Sequence, residues 1–276
     1  MEFQNKTAVV TGASGGIGKA VAMALAKAGC DVFISARNTI KLEEVKQEIE
    51  AAGRRAAAVK CDVTLDEDVW AMAEAAIATF GNIDILINNA GVAVRGLLEN
   101  MTMPDWEFIV NTNLLGYVRC VQAFLPHFLS RGSGYIVNVS SIQALAPSGD
   151  HLNIPYITTK AGILGFTEAL YGYLKPKGIM VSTTCPGAIA TDMGANARFV
   201  GSEEEKAAMA KKEIEFFKMP FFVKPEVMAE DLLQAMREER YISLIPAQME
   251  EHLGPQGRDI HKLNAFLAET GKKSGK

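Results

Sequence analysis

Apolar and polar positions along the chain fall into two alternating rhythms. Short β-branched or apolar runs at residues 6–10, 31–35, 56–60, 83–87, 135–139, 179–183 and 241–245 read as strands. Between them lie segments with apolar residues at helical spacing. These are residues 19–28, a stretch with Leu42, Val45 and Ile49 on one face, a stretch ending near Thr79, and longer ones over 104–129 and 156–174. Local punctuation supports the boundaries. Gly29 and Gly53 stand as stops, Asn38 as an N-cap, and Thr64–Glu67 and Ser202–Glu205 as capping boxes. A final helix is expected from Pro225 to Arg240. Strand-helix alternation specifies an α/β fold, a doubly wound parallel sheet of about seven strands with helices on both faces. The near-continuous apolar run Ile83-Asp84-Ile85-Leu86-Ile87 fits a parallel strand covered on both sides. With no repeat and no linker-like stretch, residues 1–276 are expected to form a single domain.

In such a sheet ligands bind at the carboxyl ends of the strands. The polar stops Thr11-Gly12, Arg37, Asp62 and Asn88-Asn89 all fall there, so residues far apart in sequence converge on one crevice. After the first strand comes Thr11-Gly12-Ala13-Ser14-Gly15-Gly16-Ile17-Gly18. Glycines let the backbone turn sharply and approach a bound group, and the helix start behind them offers free N–H donors, which suits a pyrophosphate. The spacing is G-x-x-x-G-x-G rather than the common G-x-G-x-x-G. At the end of the second strand, Ala36 holds the place where an acidic residue would bind a ribose 2′-hydroxyl, and Arg37 follows. A guanidinium there suits a 2′-phosphate and favours NADP(H); the rival reading is an exposed Arg opening the next helix. Asp62 has two open readings, an adenine-edge contact or a turn-holding carboxylate.

Further along, Asn111-Thr112-Asn113-Leu114-Leu115-Gly116 interrupts the long helical segment with residues that disturb a helix ladder. Ser140-Ser141 ends the fifth strand, Tyr156 and Lys160 share one face of the next helix, and Pro186-Gly187-Ala188-Ile189-Ala190-Thr191 follows the sixth strand. The motifs TGASGGIG (11–18), NNAG (88–91), N-x-x-G (113–116), Ser141, YITTK (156–160) and PGAIATDM (186–193) occur in that order. Together they resemble the short-chain dehydrogenase/reductase family over roughly residues 5–193. The resemblance implies a Rossmann-type fold and interconversion of a ketone or aldehyde with a secondary alcohol. It implies Tyr156 as proton carrier, Lys160 and an oxidised nicotinamide together lowering its pKa, Ser141 holding the substrate oxygen, and Asn113 holding a water that links Lys160 to solvent. It implies cofactor contacts at Gly12, Ser14, Gly16, Ile17, Gly18, Arg37, Asp62, Val63, Asn89, Ala90, Gly91, Tyr156, Lys160, Pro186, Gly187, Ile189 and Thr191. Two departures stand out. Ser141 lies two residues further from Tyr156 than is usual, and the chain lacks the Asp-Gly-Gly end of the fatty-acid-synthesis ketoreductases.

By the same resemblance, residues 193–223 form a helical substrate lid, whose Phe216, Phe217, Met219, Phe221 and Phe222 suit a bulky apolar substrate or simply pack the lid. The tail over 247–276 carries no nameable chemistry. Arg95, Gln143, His151 and Asn153 border the same region without an assigned role. A net charge of −4 gives no reason to expect nucleic acid, and no apolar run is long enough to span a membrane. The four scattered cysteines have no metal spacing, and Cys30, Cys61 and Cys185, in or beside apolar strand-like runs, read as buried free thiols. With the first strand so near the N-terminus, a cytoplasmic chain without a signal peptide is expected. The reading is an NADP(H)-dependent oxidoreductase, a homodimer or homotetramer acting on a small molecule without a metal. Its rivals are an NAD-linked alcohol or hydroxysteroid-type dehydrogenase and a silent NADP-binding sensor.

Overall fold

The computed structural model describes residues 1–146, 150–216 and 222–245. In chain order the elements are β1 (Thr7–Thr11), α1 (Gly16–Lys27), β2 (Asp31–Ala36), α2 (Thr39–Ala51), β3 (Ala56–Lys60), α3 (Asp66–Phe80), β4 (Ile85–Asn88) and β5 (Val94–Arg95). Then come α4 (Met103–Val110), α5 (Gly116–Arg131), β6 (Gly134–Val139), α6 (Ile142–Leu145), α7 (Ile154–Leu174) and β7 (Ile179–Pro186). The last are β8 (Arg198–Phe199), α8 (Glu203–Phe216), α9 (Pro225–Arg237) and β9 (Ile242–Ile245).

Seven strands form one sheet in the order β3-β2-β1-β4-β6-β7-β9. Every pairing in it is parallel; Ala8, for example, stands level with Val32 on one side and Ile85 on the other. The strand order reverses between β1 and β4, and that is where a crevice opens at the carboxyl ends. Side chains alternate across the sheet. Ala8 and Val10 join the layer under α1, α2 and α9, with Leu25, Leu42, Val45, Ile49, Leu232 and Met236. Val9 points the other way, into the layer of α3, α5 and α7 with Met72, Phe124, Phe128, Leu164 and Leu174. All four cysteines are free and buried in these layers, Cys30, Cys61 and Cys185 as expected and Cys120 with them.

Local differences from the sequence reading have physical causes. Thr64 does not cap α3: its hydroxyl donates to Asp62 Oδ1 at 2.8 Å, and the N-cap position falls to Leu65. The Ser202–Glu205 box does form, with Ser202 N–H on Glu205 Oε2 (2.7 Å) and Glu205 N–H on Ser202 Oγ (3.2 Å). The long helix expected over 104–129 is two helices joined by a wider π turn, Asn111–Leu115. The sixth sheet strand runs to Pro186 because β9 pairs along its whole end. A second, two-stranded parallel sheet pairs β5 with β8; strands of two residues carry no periodicity that a sequence could show. Phe217, Met219, Phe221 and the 247–276 tail lie outside the described residues.

Candidate active site

The glycine turn between β1 and α1 is built to bring backbone close to backbone. Gly12 has φ +67°, and a Cβ there would stand 2.8 Å from Ala90 Cα. A Cβ on Gly18 would meet Gly12 O and the Asn89 side-chain amide, while Gly15 faces open space. Asn89 fixes the turn from the facing strand end: its Nδ2 donates to Thr11 O at 2.9 Å and to Gly12 O at 3.3 Å. Thr11 Oγ1 in turn accepts from the N–H groups of Asn89 and Ala90. The start of α1 has no side-chain cap, which leaves its first amides as donors facing the crevice. Open space at Gly15 and uncapped amides form a cradle that fits a cofactor pyrophosphate.

On the β2 side of the cradle, Arg37 is largely exposed and stands 4.0 Å from Asp62. Asp62 holds the turn beyond β3, accepting from Thr64 N–H at 3.0 Å and from the Thr64 hydroxyl. Of its two readings, turn-holding is therefore present, and the carboxylate also faces Arg37. On the other flank, Thr191 reaches the turn, and a Cβ on Gly16 would meet its methyl at 3.2 Å. Ile189 is buried and bridged to Val223, with Ala190 N–H on Val223 O at 2.9 Å. Gly187 N–H donates to Ile245 O, fixing the start of this segment.

Past the cradle, α7 carries Tyr156 and Lys160. Lys160 is buried, and its Nζ donates to Val139 O at the end of β6 at 2.8 Å. The same nitrogen lies 5.6 Å from the ring centroids of Tyr156 and Tyr117. Among the described residues no carboxylate acts on it, and burial pulls its pKa down to about 7. Burial pushes the Tyr156 phenol up to about 12, opposed by a hydrogen bond with Ser141. Burial is the largest influence on this phenol and acts against the lowering expected from Lys160 together with an oxidised nicotinamide. Ser141 also caps α6, its Oγ accepting from Gln143 N–H at 3.2 Å. Ser140 Oγ donates to Lys160 O at 2.7 Å, tying the end of β6 to α7.

Asn113 sits in the π turn, fully buried. Its Oδ1 accepts from Val92 N–H at 2.8 Å, and its Nδ2 donates to Val92 O (3.0 Å) and to Thr159 Oγ1 (3.2 Å). The side chain therefore staples the turn after Asn89-Ala90-Gly91 to α7, at Thr159. A Cβ on Gly91 would lie 3.3 Å from Asn113 Oδ1 and 3.8 Å from Lys160 Nζ, so this glycine keeps the three segments in contact.

Arg95, to which the sequence assigns no role, joins three segments. Its guanidinium donates to Glu213 Oε1 at 3.1 Å and to Asp150 Oδ2 at 2.9 Å. Nothing in a linear reading pairs three charges from such distant segments. Of the other bordering residues, Asn153 Nδ2 donates to Gln143 Oε1 at 2.8 Å, and His151 is exposed.

A family model described as short chain dehydrogenase matches residues 6–215. The 3-oxoacyl-(acyl-carrier-protein) reductase FabG of Staphylococcus epidermidis is 37% identical over 190 residues, 68% of this chain and 77% of that protein. A short-chain dehydrogenase/reductase from Burkholderia phymatum, solved with NAD, superposes with a TM-score of 0.83 at 26% identity, over 92% of this chain and 93% of its own. An actinorhodin polyketide ketoreductase solved with NADPH gives a TM-score of 0.73 at 30% identity, over 83% and 89% of the two chains. The seven-stranded parallel sheet, the glycine cradle and these matches agree: the chain belongs to the short-chain dehydrogenase family, and it is an oxidoreductase that uses a nicotinamide cofactor.

Proposed function

We propose that this protein is an NADP(H)-dependent carbonyl reductase, reversible toward secondary-alcohol oxidation, with Tyr156 as the proton donor. The observation that carries the reading is the convergence of Tyr156, Lys160 and Ser141, with Tyr156 and Ser141 hydrogen-bonded and Lys160 buried beside the Tyr156 ring. When bound, the nicotinamide supplies the hydride to the carbonyl carbon, or takes it up in the reverse direction. Ser141 holds the substrate oxygen, and the Tyr156 hydroxyl gives that oxygen its proton as negative charge develops there. A phenol pushed up to about 12 carries its proton at neutral pH, as a proton donor to the substrate oxygen must. Lys160, pulled down to about 7 by burial and 5.6 Å from the Tyr156 ring, supports a role in tuning the phenol. Asn113 holds the 89–92 turn in place against α7. The Gly12–Gly18 turn would take the pyrophosphate, Arg37 the 2′-phosphate, and Ile189 and Thr191 the carboxamide.

NADP(H) is supported by the exposed Arg37 cation next to Ala36, and by the ketoreductase neighbour solved with NADPH. A second reading, an NAD-linked dehydrogenase, is favoured by the neighbour solved with NAD. The FabG relatives point to 3-oxoacyl groups, a ketone reduction of the same class. The test uses Tyr156→Phe. Ketone turnover with NADPH should fall by about a hundredfold or more, while the upward shift in melting temperature caused by NADPH stays as in the wild type. A Phe variant with full turnover would sink the proton-donor role. A larger melting shift with NADH than with NADPH would favour the second reading.

A further inference from the structure

β5 is a hub. On one edge it pairs with β8, through Arg198 N–H on Ala93 O at 2.9 Å and Val200 N–H on Arg95 O at 2.8 Å. Beyond it, Gly96 N–H donates to Leu152 O, in the loop that leads to the catalytic helix, at 3.0 Å. The Arg95 side chain repeats the connection with charge, one arm on Glu213 of α8 and the other on Asp150 of that loop. All three side chains are mostly shielded, at 18%, 22% and 10% exposure for Arg95, Asp150 and Glu213.

From Asp150 the connections continue to the reacting groups. Its Oδ1 accepts from Leu152 N–H at 3.2 Å and its main-chain oxygen from Asn153 N–H at 3.0 Å, directly before α7 begins. Asn153 Nδ2 donates to Gln143 Oε1, and Gln143 N–H donates to Ser141 Oγ. One run of hydrogen bonds therefore leads from α8 through Arg95 to both Ser141 and the first turn of the Tyr156 helix.

We propose that Arg95 is a positioning residue, which seats α8 on the loop before Tyr156 and so sets the substrate side of the active site. The inference rests on the catalytic reading above. One guanidinium serves two carboxylates, so its loss leaves Asp150 and Glu213 facing each other with like charge in a shielded place, and the two segments separate. Arg95, Asp150 and Glu213 make these ion pairs with one another and not with the glycine cradle.

The experiment compares wild type, Arg95→Met, Arg95→Lys and the double variant Arg95→Met/Glu213→Gln by amide hydrogen exchange and by steady-state kinetics. In Arg95→Met, exchange over residues 203–213 and 150–156 should speed up while the strands of the large sheet keep their protection. The ketone KM should rise about tenfold with kcat within about threefold, and the NADPH melting shift should be unchanged. Arg95→Lys, which reaches one carboxylate, should fall between, and the double variant should regain part of the loss because the excess charge is gone. Unchanged exchange in both segments overturns the proposal, as does faster exchange with an unmoved KM. If the wild type turns over no ketone, the catalytic reading has failed, and the exchange measurements still decide whether Arg95 joins these segments.

Discussion

Asn89 hangs its side-chain amide on the main-chain oxygens of Thr11 and Gly12, at 2.9 and 3.3 Å, and so locks two strand ends across the switch point of the sheet. The amide stands in for a backbone rung that the diverging strands no longer make. Asn89→Ala leaves two shielded carbonyls without that donor, which costs about 1–3 kcal/mol. The expected outcome is a lower midpoint in urea and a weaker cofactor, measured by equilibrium unfolding and by titration of NADPH fluorescence. An unchanged midpoint would show that water replaces the amide freely.

Gly18 should tolerate nothing larger than hydrogen. An added methyl meets Gly12 O at the tightest point of the turn, where both contacts are backbone or a pinned amide. Gly18→Ala should abolish the melting shift with every nicotinamide cofactor while the circular dichroism of the sheet survives. Gly15→Ala, at a position with no neighbour within 4 Å, is the matched control for added bulk alone.

Lys160 predicts a pH dependence of stability. Its pKa is about 7 in the fold, against 10.5 when solvated, so the unfolded chain binds more protons between these values. Its contribution therefore makes the protein more stable as pH rises from about 7 toward 10, and the penalty is fully present below about 7. Lys160→Met removes that penalty. The variant should gain most in melting temperature, relative to wild type, near pH 6.5, and the gain should shrink by about pH 9. A constant difference across that window would place the Lys160 pKa near its solvated value.

Arg37 decides between cofactors. Arg37→Ser should weaken NADPH by about tenfold or more, equivalent to about 1.4 kcal/mol, and leave NADH within experimental error. Direct titration of both cofactors measures this. Equal losses for the two would assign Arg37 to the general field of the site rather than to a phosphate.

The sheet was legible because its strands are apolar runs of ordinary length, and the site was legible because polar residues end those runs. Asn113 shows how far such reading goes: a helix-disturbing Asn marks the spot, and the structure turns it into a π turn holding Val92 and Thr159. Thr64 shows a limit, since the same four-residue pattern caps α8 at Ser202 but not α3, where Asp62 takes the hydroxyl. The burial of the Tyr156 phenol was hidden because a nearby Lys is visible in sequence and desolvation is not. Arg95 was hidden for a different reason: its partners sit at positions 150 and 213, and no local spacing relates them.

The four buried thiols have a practical consequence. Cys30 lies in the layer under α1 and α2, whereas Cys61, Cys120 and Cys185 lie in the layer of α3, α5 and α7. Burial holds Cys30, Cys61 and Cys185 up at about 12, and Cys120 is raised as well, so none is a ready nucleophile in the closed protein. Each becomes reactive only when its own layer opens. The chain thus carries built-in clocks on both sides of its sheet, and alkylation rates resolved by mass would time the breathing of one side against the other.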